Sequence, residues 1–184
     1  MDKKIKLGIS ACLLGRPVRY DGGNKLDTFL RDTVGRSVEY APVCPEAEAG
    51  FGIPREPMQL EGDPKFHGTP RMMTIETRRD MTEAMVSWAE KRLDELAKDG
   101  LSGFILKSRS PSCGVGSTPL FGEAGEVDTV SGIFARMLIK RFPLLPVTDE
   151  ARLTGPGERE DFFIRVFTPE MWPALRDIIL RREG

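Results

Sequence analysis

Cysteine and histidine are scarce in this chain of 184 residues, which has three cysteines and one histidine. Because the cysteines, Cys12, Cys44 and Cys113, are far apart and odd in number, they do not form the pattern of a disulfide framework. With His67 as the single histidine, a Ser-His-Asp hydrolase triad and a Cys-His protease are both disfavoured. The cysteines are therefore candidates for chemistry that needs thiolates without a histidine base.

The chain also lacks an excess of charge of either sign, since 27 Lys and Arg stand against 28 Asp and Glu, for a formal net charge of -1. A nucleic-acid polymer is an unlikely partner, because such binding relies on concentrated positive charge. No run of about 20 apolar residues occurs, and no apolar segment of secretory length follows the lysines near the amino terminus. We expect no membrane association and a cytoplasmic location, where thiols stay reduced.

The glycine-rich loops that bind nucleotide phosphates are missing as well. Neither a G-x-x-x-x-G-K-[ST] loop nor a G-x-G-x-x-G fingerprint follows the first predicted strand. Nucleotide and dinucleotide binding therefore receive little support.

What is present is an alternation of apolar segments that predicts strands and helices in turn. The predicted strands span residues 4–11, 37–43, 103–106 and 144–147, and the predicted helices span 24–34, 76–98, 130–142 and 158–167. Residues 47–74 are rich in Gly and Pro and are predicted as a long loop. This order predicts an α/β fold, a three-layer Rossmann-like parallel sheet with helices on both faces and a short helical C-terminal annex. We place the main domain at residues 1–149 and the helical extension at 150–184.

Each cysteine follows a predicted strand and borders Gly or Pro or a turn rather than the apolar middle of the strand. If these strands are neighbours in one parallel sheet, the thiols of Cys12, Cys44 and Cys113 converge at its carboxyl edge, where open α/β sheets bind ligands. Soft thiolates suit an iron-sulfur cluster or zinc. A closed zinc site would take His67 as fourth ligand, and ordinary buried cysteines are the plainest alternative.

Three polar residues near the cysteines are candidates for acid-base chemistry and substrate binding. Glu46 lies two residues after Cys44 and could serve as a general acid or base; the alternative is an exposed loop carboxylate. Ser110 and Ser112 flank Pro111 just before Cys113 and offer hydroxyls that orient a substrate or a water molecule, or else ordinary turn residues.

Taken together, five segments resemble the thiouracil desulfidase family. They are S-A-C-L-L-G from Ser10, V-R-Y-D-G-G-N-K from Val18, V-C-P-E from Val43, P-R-E-P-M from Pro54 and K-S-R-S-P-S-C-G from Lys107. The resemblance covers residues 4–149, and it is specific because all three cysteine contexts match in order.

The resemblance implies a 4Fe-4S cluster held by Cys12, Cys44 and Cys113, with a fourth iron that has no protein ligand and takes the sulfur of a thiolated pyrimidine. It also implies that Glu46 assists the attack of water, that Ser110 is essential, and that sulfur leaves as sulfide without net electron transfer.

Beside these, Ser10 and Ser112 are the predicted substrate-binding hydroxyls. The expected partner is a small thiolated base or nucleoside, and a homodimer is a candidate assembly. A non-catalytic iron-sulfur sensor or small-molecule-binding module, or a structural zinc protein, is the alternative.

Overall fold

The computed structural model describes residues 5–65, 68, 70–167, 176 and 178–180, and these contain eight strands and four α-helices. The strands are β1 Ile5–Ser10, β2 Val38–Val43, β3 Met58–Glu61, β4 Arg71–Thr74, β5 Gly103–Leu106, β6 Thr118–Gly122, β7 Gly125–Val130 and β8 Val147–Asp149. The helices are α1 Pro45–Glu48, α2 Thr82–Leu96, α3 Ile133–Arg141 and α4 Pro156–Val166.

Four strands form a parallel sheet in the order β2-β1-β5-β8. β1 lies between β2 and β5 and pairs with β2 along its whole length, from Ile5 opposite Val38 to Ser10 opposite Val43. The apolar side chains of β1 and of its neighbour β5 are buried, as expected for a sheet that is covered on both faces. The predicted parallel α/β sheet is therefore confirmed.

Helical segments cover both faces of this sheet. On one face, Phe104 and Leu106 pack against α2 and α3. On the other face, Leu7 and Ile9 pack against α4 and against a short π- and 3-10-helical segment at residues 29–36. The alternation follows from the two-residue period of a strand, which points successive side chains to opposite faces.

A second sheet, β4-β3-β6-β7, was not predicted. Two of its strands lie within residues 47–74, which were wrongly predicted as loop throughout, and the other two form a hairpin before α3. Leu60, Met72 and Leu120 form its buried side, together with Met85 of α2. These strands are short and interrupted by Gly and Pro, and β3 pairs with β6 across a long stretch of sequence, so local patterns did not reveal them.

Several predicted boundaries also differ from the structure. Of the predicted helix at 24–34, only residues from Phe29 onward are helical, as a π-helix to Thr33 and a 3-10 turn to Arg36. α2 begins at Thr82 rather than at residue 76, because Asp80 forms a β-bridge with Met73 first. The last strand of the parallel sheet is Val147–Asp149, so it overlaps the predicted 144–147 only at Val147.

The helical extension packs on the parallel sheet. Phe162, Phe163 and Val166 of α4 are buried in the same cluster as Leu7 and Ile9 of β1. The division into domains at residues 1–149 and 150–184 stays a prediction. None of the described helices is long and apolar enough to cross a membrane.

Candidate active site

The three cysteines line one cavity at the carboxyl edge of the parallel sheet. Cys12 lies in a 3-10 helix, Ala11–Leu14, directly after β1, and Cys44 links β2 to α1 as the residue that precedes the helix. Cys113 lies in the loop that follows β5. The cavity has a volume of about 370 Å³ and is also lined by the strand ends Ser10 and Val43.

All three thiols are free, and burial dominates their ionisation. Burial raises the pKa of Cys12 to about 11 and that of Cys113 to about 12, and it also raises the pKa of Cys44. The negative charge of Cys44 contributes to the shift at Cys12, and that of Cys12 to the shift at Cys113. Such thiols are poor nucleophiles by themselves, but coordination to a metal deprotonates a thiol outright.

The loop that carries Cys113 is held tightly from several sides. The amide of Gly114 donates to the carbonyl of Ser110, and the hydroxyl of Thr118 donates to the same carbonyl at 2.8 Å. Gly132 passes so close that a Cβ there would lie 2.4 Å from the carbonyl carbon of Ser112. Only glycine fits at that position, and the close approach fixes the backbone of the loop.

Glu46 lies in the first turn of α1 with its carboxylate buried between a cation and a hydroxyl. The Nε and Nη2 atoms of Arg55 donate to Oε2 at 2.9 Å and 2.7 Å, and the hydroxyl of Ser112 donates to Oε1 at 2.8 Å. The guanidinium supplies the compensating charge that a buried carboxylate needs. Glu46 is therefore held in one orientation inside the cavity.

The predicted serines form a connected group around Glu46 and Cys113. Ser110 Oγ lies 3.0 Å from Ser112 Oγ and 3.5 Å from Glu46 Oε1, and it accepts hydrogen bonds from the amides of Ser112 and Cys113. Ser10 accepts a hydrogen bond from the amide of Lys107 and donates its hydroxyl to the sulfur of Cys113. The structure thus brings all seven predicted site residues to one cavity.

Basic side chains outnumber acidic ones in the lining of this cavity. The acidic residue in the lining is Glu46. The basic ones are Arg19, Lys25, Arg55, Lys107 and Arg109. Lys107 is itself paired with Glu150, which also accepts a hydrogen bond from the amide of Ser108 at 2.7 Å. This surplus of positive charge suits a site where several thiolates collect.

No group of three His, Cys, Asp or Glu side chains within residues 5–65, 68, 70–167, 176 and 178–180 lies close enough together to hold one metal ion. The three thiols instead line the wall of the cavity. His67, the predicted fourth ligand in the zinc alternative, lies outside the described residues.

The sequence profile of the 2-thiouracil desulfurase family matches residues 7–150, the whole stretch that builds this cavity. The chain belongs to this family. The resemblance predicted from the five segments is thereby confirmed, and the family is one of desulfurating enzymes.

The chain is also similar to two known proteins. The uncharacterized protein YbbK of Bacillus subtilis (strain 168) is 33% identical over 133 residues, which cover 71% of this chain and 87% of YbbK. Among solved structures, the 4Fe-4S-dependent thiouracil desulfidase TudS matches with a TM-score of 0.64 and 32% identity, over 82% of this chain and 94% of TudS.

Arg55 is the residue of this site whose role the sequence did not reveal. It lies in the P-R-E-P-M segment that supports the family resemblance, but it is nine residues from Glu46 and no local pattern links the two. An Arg-Glu pair between Pro54 and Pro57 was the available signal.

Proposed function

We propose that this protein is an iron-sulfur desulfidase that removes sulfur from thiolated pyrimidines by attack of water and releases sulfide. The observation that carries the proposal is the shared cavity, which Cys12, Cys44 and Cys113 line together with Glu46, whose carboxylate is hydrogen-bonded to Ser112. The likeness to TudS, whose name states a 4Fe-4S dependence, supports the choice of cofactor.

The residues present fit a 4Fe-4S cluster with three protein ligands. Three free thiols are soft donors of the kind that iron-sulfur clusters use. Their spread along the wall of a cavity of about 370 Å³ suits a multi-iron cluster better than a single ion. The basic side chains around the cavity offset the negative charge that three thiolates bring.

When bound, the cluster would supply an iron atom without a protein ligand, which acts as a Lewis acid toward the sulfur of the substrate. Glu46 accepts a proton from the attacking water through its carboxylate. Ser112 orients that carboxylate. Ser110, whose Oγ lies 3.5 Å from Glu46 Oε1, is the proposed contact for the water and the substrate. Ser10 is hydrogen-bonded to the thiol of Cys113, so we propose that it contacts the substrate beside that sulfur.

The proposed reaction consumes one water molecule and needs no electron donor. The carbon that was bonded to sulfur gains an oxygen from water, the carbon-sulfur bond breaks, and sulfur leaves as sulfide with the protons of the water. We propose a free thiolated base or its nucleoside as substrate, bound in the cavity beside Glu46 and the serines.

Anaerobic reconstitution tests this proposal. The wild-type protein should carry about four iron atoms per chain and release sulfide from 2-thiouracil or 4-thiouracil. The variant Glu46→Ala should keep its iron while kcat falls by roughly 10²- to 10⁴-fold, because general acid-base catalysis is lost. Glu126→Ala, on the exposed strand β7, is the matched control and should retain activity.

Each alternative gives a different result in the same experiment. A colourless protein with one zinc ion would establish the structural zinc site. A brown protein that releases no sulfide from any thiolated pyrimidine would establish the non-catalytic module. Normal turnover by Glu46→Ala would show that another group activates the water.

A further inference from the structure

The guanidinium of Arg55 is buried against Glu46, and all of its nitrogen atoms are engaged. The side chain of Arg55 is 6% exposed and that of Glu46 is 11% exposed. Nε and Nη2 donate to Oε2 of Glu46, while Nη1 donates to the carbonyls of Val18 and Gly52, both at 3.0 Å. Hydrogen bonds between ionised partners are the stronger kind in proteins, and this pair is shielded from solvent.

This arrangement distinguishes the two oxygens of the carboxylate. Oε2 accepts both hydrogen bonds from Arg55, and Oε1 faces the hydroxyls of Ser112 and Ser110. Among the described residues, the side-chain hydrogen bonds to Oε2 come from Arg55, so removing the guanidinium would free the carboxylate to turn about its terminal bond. The position of Oε1 relative to the serines would then vary.

We infer that Arg55 is a positioning residue of the desulfurase reaction, which acts by holding Oε1 of Glu46 toward the hydroxyls of Ser112 and Ser110. The inference rests on the proposed function, because it requires Glu46 to handle the proton of the attacking water. Arg55 forms no hydrogen bond with the cysteines or serines of the described site, and its ion pair is with Glu46. It also acts on Cys44, because its charge works against the burial that raises the pKa of that thiol, and both side chains donate to the carbonyl of Val18. A double mutant with Glu46 separates these two routes.

Arg55 also has contacts that would serve a purely structural role. Its Nη1 joins two segments through the carbonyls of Val18 and Gly52, and its own amide donates to the carbonyl of Tyr20 at 2.8 Å. A test must therefore separate the orientation of Glu46 from the stability of these segments. Turnover, iron content and chemical rescue together make that separation.

Three variants of the full-length, anaerobically loaded protein provide the test, each assayed for kcat and KM with 2-thiouracil and for bound iron. Arg55→Met should lower kcat by about 100-fold, the size of effect expected when a reacting group is misplaced, with iron content and KM close to wild type. The kcat of Arg55→Lys should lie between those of the wild type and Arg55→Met, because an ammonium group keeps the positive charge but cannot donate two parallel hydrogen bonds. Arg78→Met is the matched control, since Arg78 also forms a two-point pair with a glutamate, Glu61, but outside the cavity; it should keep wild-type kcat.

Chemical rescue and a double mutant distinguish a positioning role of Arg55 from a purely structural one, because a purely structural role would not produce the following changes in kcat. Added guanidinium ion should raise kcat of Arg55→Met and leave kcat of Glu46→Gln unchanged. In the Glu46→Gln background, Arg55→Met should cause little further loss, because residues that act as one unit are not additive.

Several results would overturn the inference. Wild-type kcat in Arg55→Met would do so directly. Full additivity in the double mutant would show that Arg55 acts apart from Glu46, and loss of iron that neither lysine nor guanidinium reverses would show a structural clamp. These outcomes are distinct from failure of the proposed function, which would appear in the wild-type protein as absent iron or absent sulfide.

Discussion

Ser112 has one hydroxyl proton and three neighbours that could accept it. Glu46 Oε1 lies at 2.8 Å, Ser110 Oγ at 3.0 Å and Cys113 Sγ at 3.6 Å. The carboxylate is both the nearest acceptor and the charged one, so Ser112 donates to Glu46. Ser110 then donates to Ser112 and is itself held by the amides of Ser112 and Cys113. The hydroxyls thus form a chain that runs from the Cys113 loop to Glu46.

Removing the middle member of this chain tests it. Ser112→Ala should lower kcat by roughly 10- to 100-fold, because a hydrogen bond to a charged group contributes about 1.5–3 kcal/mol. Iron content should stay at the wild-type level. Steady-state kinetics and iron determination on the anaerobically loaded protein check both points.

Ser131→Ala is the control for this serine, since Ser131 Oγ accepts a hydrogen bond from the amide of Gly116 at an exposed position. It should leave kcat unchanged. Equal kcat values for Ser112→Ala and Ser131→Ala would contradict the proposed chain.

At the level of elements, the segment that carries Arg55 is held to the rest of the fold by its neighbour Glu56. Thr77, in the turn between β4 and α2, donates to Glu56 through its amide at 2.7 Å and its hydroxyl at 2.6 Å. The hydroxyl of Thr77 is the main cause of the lowered pKa of Glu56. One side of this segment thus contacts the cavity and the other side contacts the second sheet.

This attachment predicts a pH dependence of stability. The pKa of Glu56 is lower in the folded chain than its ordinary value of 4.5. The ionised carboxylate therefore stabilises the folded state fully above pH 4.5, and this stabilisation is lost as the pH falls toward the folded pKa. The difference in free energy of unfolding between wild type and Glu56→Gln should therefore be constant from about pH 8 to pH 5.5 and shrink below about pH 4.5. Urea unfolding of the iron-free protein measures it.

Glu123→Gln, in the turn between β6 and β7, is the matched control and should change stability little at any of these pH values. A difference for Glu56→Gln that grew as the pH was lowered would reverse the sign of the argument and rule it out.

Across the whole molecule, the helical extension and the parallel sheet share one core cluster. Phe163 is fully buried with Leu7 and Ile9, and its ring stacks on Phe167 at a centroid distance of 5.7 Å. α4, which lies beyond residue 150, therefore covers part of the face of β1 opposite α2 and α3, and the segment at residues 29–36 covers another part. The stability of the sheet that carries Cys12 should depend on α4.

Truncation of one phenylalanine tests this dependence. Phe163→Ala should lower the free energy of unfolding by about 3–5 kcal/mol, the usual cost of emptying a buried aromatic site. Leu144→Ala, at a residue that is 95% exposed, should change it by less than about 0.5 kcal/mol. Urea unfolding followed by circular dichroism checks both values. A wild-type midpoint for Phe163→Ala would show that the extension contributes nothing to the main core.

Local patterns in the sequence were sufficient for the parallel sheet and for the placement of the thiols. The apolar runs of β1 and β5 are almost entirely buried, and β2, at the edge of the sheet, is buried at Val38, Ala41 and Val43. Apolar runs of this kind predict strands of a parallel sheet. Since each cysteine follows one of these strands, its place at the carboxyl edge follows from chain direction alone. Family membership was readable too, because it depends on short motifs in a fixed order.

Tertiary structure alone decided the second sheet, the true start of α2 and the partners of Glu46. β3 and β6 pair residues that are sixty positions apart, as Leu60 and Leu120 are. The free energy that selects this pairing comes from the burial of Leu60, Met72 and Leu120 together. In the same way, Arg55 and Ser112 reach Glu46 from opposite sides only once the strands are assembled. The hydrophobic period and the composition of a segment indicate which of its own residues are buried. The contacts of Glu46 and of the second sheet form between segments that are far apart in sequence, so no local pattern predicts them.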